Sequence, residues 1–317
     1  MSPIRFKGGE FALIDWIRAR TKVSAGSVIV GPGDDACVLD VSADSRISVT
    51  TDMLLEGTHF DLDHVSPAEV GWKAVGSGLS DVAAMGMAPV ACVAAVGLPE
   101  SRGRTFAEEM VVGMKSLADR FEVPIAGGDV TSWNESRVVV CVTVLGKATG
   151  AEPVLRSGAQ VGDVILVTGE LGGSFLGRHV RFVPRVKEAL TIAREYSPHA
   201  MIDISDGLSS DLAHVAVESG VGAVLEESRI PVSADARKAA KPDGRDAVEH
   251  ALDDGEDFEL LVTMSESDAD RLVADAPFET KLTVIGRIVE GDDLRIRGAD
   301  GRERMLQPGG WEHLRAE

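Results

Sequence analysis

Apolar positions recur along this chain with two periods, and each predicts an element. Glu10 to Thr21 puts Phe11, Leu13, Ile14 and Ile17 on one stripe of a helix. Phe106, Met110, Met114, Leu117 and Phe121 repeat that spacing further on and read as core positions. Between these helices the period shortens to two. Ser27 to Val30 reads as a strand entering the turn Gly31-Pro32-Gly33-Asp34-Asp35, and Ala36 to Leu39 as a strand leaving it. Ile47 and Val49 alternate with Ser48 and Thr50, so a strand delivers Thr51-Asp52 at its end. Ser66-Pro67-Ala68-Glu69 has the form of a capping box with proline at the first helical position, predicting a helix to about Met85. Gly76 and Gly78 lie inside it and cost about 1 kcal/mol each relative to alanine. Either a backbone or ligand comes close there, or the helix is simply weak and well packed.

Pro89 to Leu98 predicts a strand, and Thr105-Phe106-Ala107-Glu108 a second capping box. Val123 to Ala126 reads as a short strand running into Gly127-Gly128-Asp129, and Arg137 to Gly146 as a long one. Residues 150–162 turn small and polar, which divides the chain into domains 1–149 and 150–317. The second domain reads as strand Asp163–Val167, helices Ser174–Val180 and Pro184–Glu195, strand Met201–Ile204 and helix Leu208–Ser219. Strand Gly222–Glu226, a helix near Asp246–Leu252, strand Phe258–Thr263, helix Ser265–Ala274 and strand Leu282–Ile288 complete it. The fold class is α/β (α+β), with an antiparallel or mixed sheet in the first half.

At 317 residues the chain is long enough for two cores. A net charge of −19 argues against nucleic acid as partner. The N-terminus lacks the apolar run of a secretory signal, and no segment reaches the roughly 20 apolar residues of a membrane span. Cys37, Cys92 and Cys141 sit in apolar strand-like runs and read as buried thiols, while no Cys or His pair has zinc-ligand spacing. Together these predict a cytoplasmic protein.

Composition leaves the chemistry to the aspartates. Asp34-Asp35, Thr51-Asp52, Ser80-Asp81, Gly128-Asp129 and Asp203-Ile204-Ser205-Asp206 each place a carboxylate at or near an element's end beside Gly, Ser or Thr. Any one alone is an ordinary turn or cap residue. Gathered, such carboxylates repel each other and any phosphate unless cations lie between them. Mg²⁺ prefers a few carboxylates, waters and phosphate oxygens, so Asp35, Asp52, Asp81, Asp129, Asp203 and Asp206 suit several ions, with Thr50 and Thr51 adding oxygens. No GxxxxGK[ST] phosphate loop is present, and Gly169-Glu170-Leu171-Gly172-Gly173 fits a tight turn better than a dinucleotide motif. His59 reads first as a surface or packing residue. The run Asp253-Asp254-Gly255-Glu256-Asp257 reads as a solvated acidic loop or, since it abuts an apolar strand, as carboxylates facing a cleft.

The motifs taken in order resemble the thiamine-monophosphate kinase family of the aminoimidazole-ribonucleotide-synthetase-like superfamily. They are Gly33-Asp34-Asp35-Ala36, the stretch Thr51-Asp52-Met53-Leu54-Leu55-Glu56-Gly57-Thr58-His59-Phe60, and Leu79-Ser80-Asp81-Val82-Ala83-Ala84-Met85-Gly86. Gly127-Gly128-Asp129, Arg156-Ser157-Gly158-Ala159, Gly162-Asp163, Asp203-Ile204-Ser205-Asp206-Gly207-Leu208 and Gly255-Glu256-Asp257-Phe258-Glu259-Leu260 follow. The resemblance implies ATP-dependent phosphorylation of thiamine monophosphate to thiamine diphosphate by a homodimer whose N-terminal sheets pair. It implies Mg²⁺ at Asp35, Thr50, Thr51, Asp52, Asp81, Asp129, Asp203 and Asp206. Gly128, Arg156 and Ser205, with Asp129 beside them, would contact ATP. His59, Glu256 and Trp311 would contact the thiamine phosphate, Trp311 offering a face to a cationic ring.

Gly78 and Asp254 depart from the family pattern, which has asparagine and glycine there. The acceptor phosphate has a second pKa of about 6, so no general base is needed and transfer is expected to be direct and in-line. A selenophosphate-forming relative would want a reactive Cys on a glycine-rich N-terminal segment, which is missing. A nucleotide- or Ca²⁺-binding sensor is the alternative of a different class, and its EF-hand pattern is absent.

Overall fold

The computed structural model describes residues 28–30, 36–42 and 45–311. The helix expected over Glu10–Thr21, the turn Gly31–Asp35 and with it Asp35 lie outside the described residues.

Two sheets organise the chain. The first takes β1 (Val28–Val30), β2 (Cys37–Ser42), β3 (Ser45–Leu55), β4 (Ala88–Pro99), β5 (Ile125–Trp133) and β6 (Val139–Lys147) in the order β1-β2-β3-β6-β4-β5. Its ladders are antiparallel except β4–β5, so the sheet is mixed as expected. α1 (Pro67–Ala84) packs on the β3, β4 and β6 strands and α2 (Gly103–Arg120) packs on α1. Val140, Val142 and Val144 of β6 are buried, while the intervening Val139, Cys141 and Thr143 are half-buried. Met53 and Val130 stay exposed.

The second sheet is built from β7 (Val164–Thr168), β8 (Ala200–Asp203), β9 (Gly222–Glu226), β10 (Leu260–Met264), β11 (Leu282–Val289), β12 (Leu294–Arg297) and β13 (Glu303–Met305). Their order is β13-β12-β9-β11-β7-β10-β8, antiparallel except β12–β9. α3 (Val186–Glu195), α4 (Leu208–Ser219), α5 (Ala234–Asp243), α6 (Ala247–Asp253) and α7 (Glu266–Asp275) accompany it. β7 and β10 are apolar at nearly every position because both faces of this sheet are covered. Val164, Leu166, Leu260 and Val262 join the core that contains α1 and the first sheet. Ile165, Val167 and Leu261 join a second core with Leu208 and Leu212 of α4. The alternation of period two thus ties both halves to one shared core.

Several expectations need correction. The capping box at Ser66 forms, with Glu69 reaching back to the Ser66 amide. The one at Thr105 does not: α2 begins at Gly103, and its N-cap Arg102 makes no side-chain cap. The turn in which the Arg102 amide bonds the Pro99 carbonyl has already launched the helix. β5 does not stop before Gly127-Gly128-Asp129 but runs through it, because parallel pairing with β4 continues to Pro99 opposite Trp133. Ser174–Val180 forms two 3₁₀ turns, not a helix. Cys92 is buried but Cys141 only partly so. Gly76 and Gly78 do mark close approach, by side chains rather than by backbone. A Cβ at Gly76 would stand 2.7 Å from the Phe182 ring, and one at Gly78 2.6 Å from Val144 Cγ2. An asparagine at 78 therefore has no room against β6 as it packs here.

Candidate active site

β3 pairs with β6 from Ile47 to Leu55, setting Thr51 opposite Thr143 and Asp52 opposite Val142. α1 lies over this part of the sheet and contributes Ser77 and Asp81. Across from them stand the Ser205-Asp206-Gly207 turn after β8 and the 253–258 loop before β10. Together with His59, Phe175 and Trp311 these segments line a cleft of about 370 Å³. Of the residues singled out from sequence, Thr51, Asp52, His59, Asp81, Ser205, Asp206, Glu256 and Trp311 all line it.

Two more support the cleft from behind. The Thr50 hydroxyl donates to Asp81 Oδ2 at 2.5 Å. Asp203, buried at the end of β8, accepts from the Ser80 hydroxyl at 2.6 Å. Burial pushes the Asp203 carboxyl up, while the hydrogen bond from Ser80 and the charge of Arg156 pull it down. Arg156 thus acts on Asp203 and does not line the cleft. Gly128 and Asp129 are not brought to it either: both are exposed on β5, the edge strand of the first sheet.

Asp52 is a strongly perturbed carboxylate of the cleft. Burial raises its pKa to about 6, the Ser77 hydroxyl opposes that rise, and the nearby Asp203 charge adds to it. Its Oδ2 is buried with no hydrogen-bond partner among the described residues. An orphaned carboxylate oxygen of this kind is costly to keep unless something cationic satisfies it. Among the described residues no three or more His, Cys, Asp or Glu side chains are gathered into one ready-made ligand set. Mg²⁺ takes one or two carboxylates and completes its shell with water and substrate phosphates. The oxygen-only donors Asp52, Asp81 and Asp206 fit such an ion.

Sequence reasoning missed the residue that organises the other wall. Lys73 on α1 is fully buried, and its ammonium donates to both carboxylate oxygens of Glu256 at 2.6 Å each and to the His59 carbonyl. Burial pushes the Lys73 pKa down and that of Glu256 up, and their mutual attraction opposes both shifts. A lone lysine in the apolar run Val70-Gly71-Trp72-Lys73-Ala74-Val75 was the available signal. His59 itself accepts the Leu55 amide on Nδ1 at 3.0 Å, which leaves any proton of the neutral ring on Nε2.

The acidic run splits by role. Asp254 and Glu256 line the cleft. Asp257 is buried, accepts two bonds from the Gly172 amide and pairs with Arg178 at 2.5 Å; burial pushes it up to about 8 against those partners. Asp254 accepts the Gly173 amide at 2.8 Å in an ordinary right-handed conformation, so glycine is not required there. The glycines at 172 and 173 therefore form a turn locked to the acidic loop, as a tight turn would be.

Two family models match this chain: the AIR synthase related protein N-terminal domain over residues 33–148, and the AIR synthase related protein C-terminal domain over 176–299. Fold and cleft together thus define an AIR synthase related protein. Thiamine-monophosphate kinase of Rhodopirellula baltica is 36% identical over 311 residues, covering 96% of this chain and 97% of that one. Thiamine-monophosphate kinase of Mycobacterium tuberculosis is 36% identical over 306 residues, covering 92% and 88%. The solved structure of AaThiL complexed with AMPPCP and TMP superimposes with a TM-score of 0.82 at 29% identity, over 96% of this chain and 97% of that one. The chain belongs to the thiamine-monophosphate kinase family and is a phosphotransferase.

Proposed function

We infer that this chain transfers the γ-phosphoryl group of ATP to thiamine monophosphate, yielding thiamine diphosphate and ADP. One observation carries the reading: a single cleft is lined both by oxygen donors (Asp52, Asp81, Asp206) and by groups suited to an organic cation (Trp311, Phe175, His59, Glu256). The complex of a relative with AMPPCP and TMP supports the same pair of substrates.

Asp52, Asp81 and Asp206, backed by Thr50 and Asp203 and extended by Thr51, would hold Mg²⁺, which when bound neutralises the phosphates' mutual repulsion. In this assignment Ser205 serves ATP, and Arg156 tempers the negative charge of Asp203. Trp311 offers its ring to the cationic acceptor. Glu256, oriented by Lys73, keeps lone pairs free to accept from the acceptor's N–H groups. His59 presents Nε2–H as a donor. No side chain needs to remove a proton, because the acceptor phosphate is already largely deprotonated at neutral pH. The protein's task is alignment, and transfer is in-line without a phosphoenzyme.

Residues 1–149 are assigned to metal, ATP and dimerisation, and 150–317 to closing the cleft. The homodimer reading draws on the first sheet, whose exposed Met53 and Val130 want a partner. The cytoplasm is its proposed location, and among the described residues no helix is long and apolar enough to cross a membrane. A coupled assay of ADP release tests the function. ADP should appear only when ATP, Mg²⁺ and thiamine monophosphate are all present, and release without the acceptor, or with unphosphorylated thiamine alone, overturns it.

A further inference from the structure

The turn that carries Asp206 to the cleft is bound along its backbone. The Glu256 amide donates to the Ser205 carbonyl at 2.6 Å, and the Trp311 amide to the Asp206 carbonyl at 2.9 Å. The Gly207 carbonyl accepts the amides of Ser210 and Asp211, both at 3.0 Å, which starts α4. Gly207 itself sits at φ 116°, and a Cβ there would stand 2.9 Å from the Leu252 carbonyl oxygen. The amides of Asp206 and Gly207 go to one side chain. Asp211 Oδ2 accepts them at 3.2 Å and 3.1 Å.

This arrangement goes beyond a helix cap. A capping side chain stands ahead of its helix and bonds amides of the first turn, and in a capping box the residue that reaches back stops at the N-cap amide. Asp211 lies inside the first turn of α4, reaches past the N-cap Gly207, and bonds the amide of Asp206, a residue outside the helix that lines the cleft. That second bond adds nothing to the helix ladder. Asp211 is only 2% exposed, so without it two amides beside the site lose their acceptor with no ready replacement from solvent. We propose that Asp211 is a positioning residue for the divalent-cation site: by holding the Asp206 and Gly207 amides it fixes the peptide from which the Asp206 carboxylate projects. The proposal rests on Asp206 contacting the cation, as assigned above. Asp211 does not line the cleft, and it acts as an oxygen acceptor for the turn rather than as a charge at the ion.

Mn²⁺ binding to the full chain, with a saturating non-hydrolysable ATP analogue and read by water-proton relaxation, tests this. The variants are Asp211→Asn, Asp211→Ala, Asp206→Asn and Asp206→Asn/Asp211→Ala. Both amides use a single oxygen, which asparagine retains, so Asp211→Asn should bind Mn²⁺ within about twofold of wild type. Asp211→Ala should bind about tenfold more weakly, as when a group that supports a metal ligand is removed. Adding Asp211→Ala to Asp206→Asn should cost nothing more, since both act through one carboxylate. Equal weakening in Asp211→Asn and Asp211→Ala overturns the proposal, because the charge and not the hydrogen bonds would then be what counts. That arm is read even should the alanine variant not fold, since a tenfold loss in Asp211→Asn is by itself contradictory. Wild-type affinity in Asp211→Ala, or a further loss in the double variant, overturns the proposal as well. Wild-type affinity in Asp206→Asn overturns the metal contact of Asp206 on which the proposal depends, whatever Asp211 does.

Discussion

Replacing Lys73 by methionine keeps the volume on α1 but strips Glu256 of its cation and the His59 carbonyl of its donor. Lys73 is fully buried and the Glu256 side chain only 15% exposed, so water cannot substitute for the lost ammonium. Removing one member of a buried pair typically costs about 3–5 kcal/mol. The protein's escape is to protonate Glu256, whose ordinary value is 4.5 and which burial already pushes up. Taking up a proton at pH 7 against an unfolded value of 4.5 costs about 1.36 × 2.5, or about 3.4 kcal/mol. At pH 5 the same step costs about 1.36 × 0.5, or about 0.7 kcal/mol. In the variant the folded-state pKa of Glu256 is raised, so the penalty is absent below 4.5 and grows as pH rises. Urea unfolding of both proteins at pH 5 and pH 7 measures it: Lys73→Met should lose about 3–4 kcal/mol at pH 7 and about a fifth of that at pH 5. Lys73→Met/Glu256→Gln should recover most of the pH 7 loss. A Lys73→Met penalty under about 1 kcal/mol at pH 7, or one independent of pH, would refute the reasoning.

Other consequences follow from the cleft and its surroundings. Asp52→Asn should cut turnover by about 100-fold or more while the far-ultraviolet circular dichroism stays unchanged, and near-normal turnover would remove Asp52 from the site. His179 is held neutral down to about 4, chiefly by burial and then by the Lys73 charge. Its folded value lies below the ordinary 6.5, so the stability it contributes is complete above 6.5 and is lost as pH falls toward 4. Wild type should therefore lose about 3 kcal/mol more than His179→Gln across that window, read by urea midpoints, and parallel curves would contradict this.

Local pattern made much of the molecule legible, and the failures share a cause. α4 runs from Leu208 to Ser219 as its apolar spacing and the following Gly220 indicate, and β3 carries Thr51-Asp52 as its alternation indicates. α5 escaped because Ala234–Asp243 is polar and includes Pro242; its Ser233 cap holds it. β12 alternates arginines with apolar residues, the short β13 is exposed throughout, and the two are joined by cross-strand pairs such as Arg297–Glu303, which no single segment reveals. The aspartates were legible as a set because their neighbours are small and polar. Lys73 was not, because its partners are separated from it by 14 and 183 residues and meet only in the folded chain. Asp129 went the other way: its glycine-rich setting marked it, yet it lies exposed on an edge strand and does not line the cleft.

The account stands on divalent cations bridging the cleft carboxylates to phosphate. Crystals grown with Mn²⁺ in place of Mg²⁺, a non-hydrolysable ATP analogue and thiamine monophosphate, measured at the manganese edge, test that directly. The account predicts anomalous peaks in the cleft at roughly 2.1 Å from carboxylate oxygens of Asp52 or Asp81 and from phosphate oxygens. A cleft holding both ligands with no anomalous peak against any of its aspartates would contradict it.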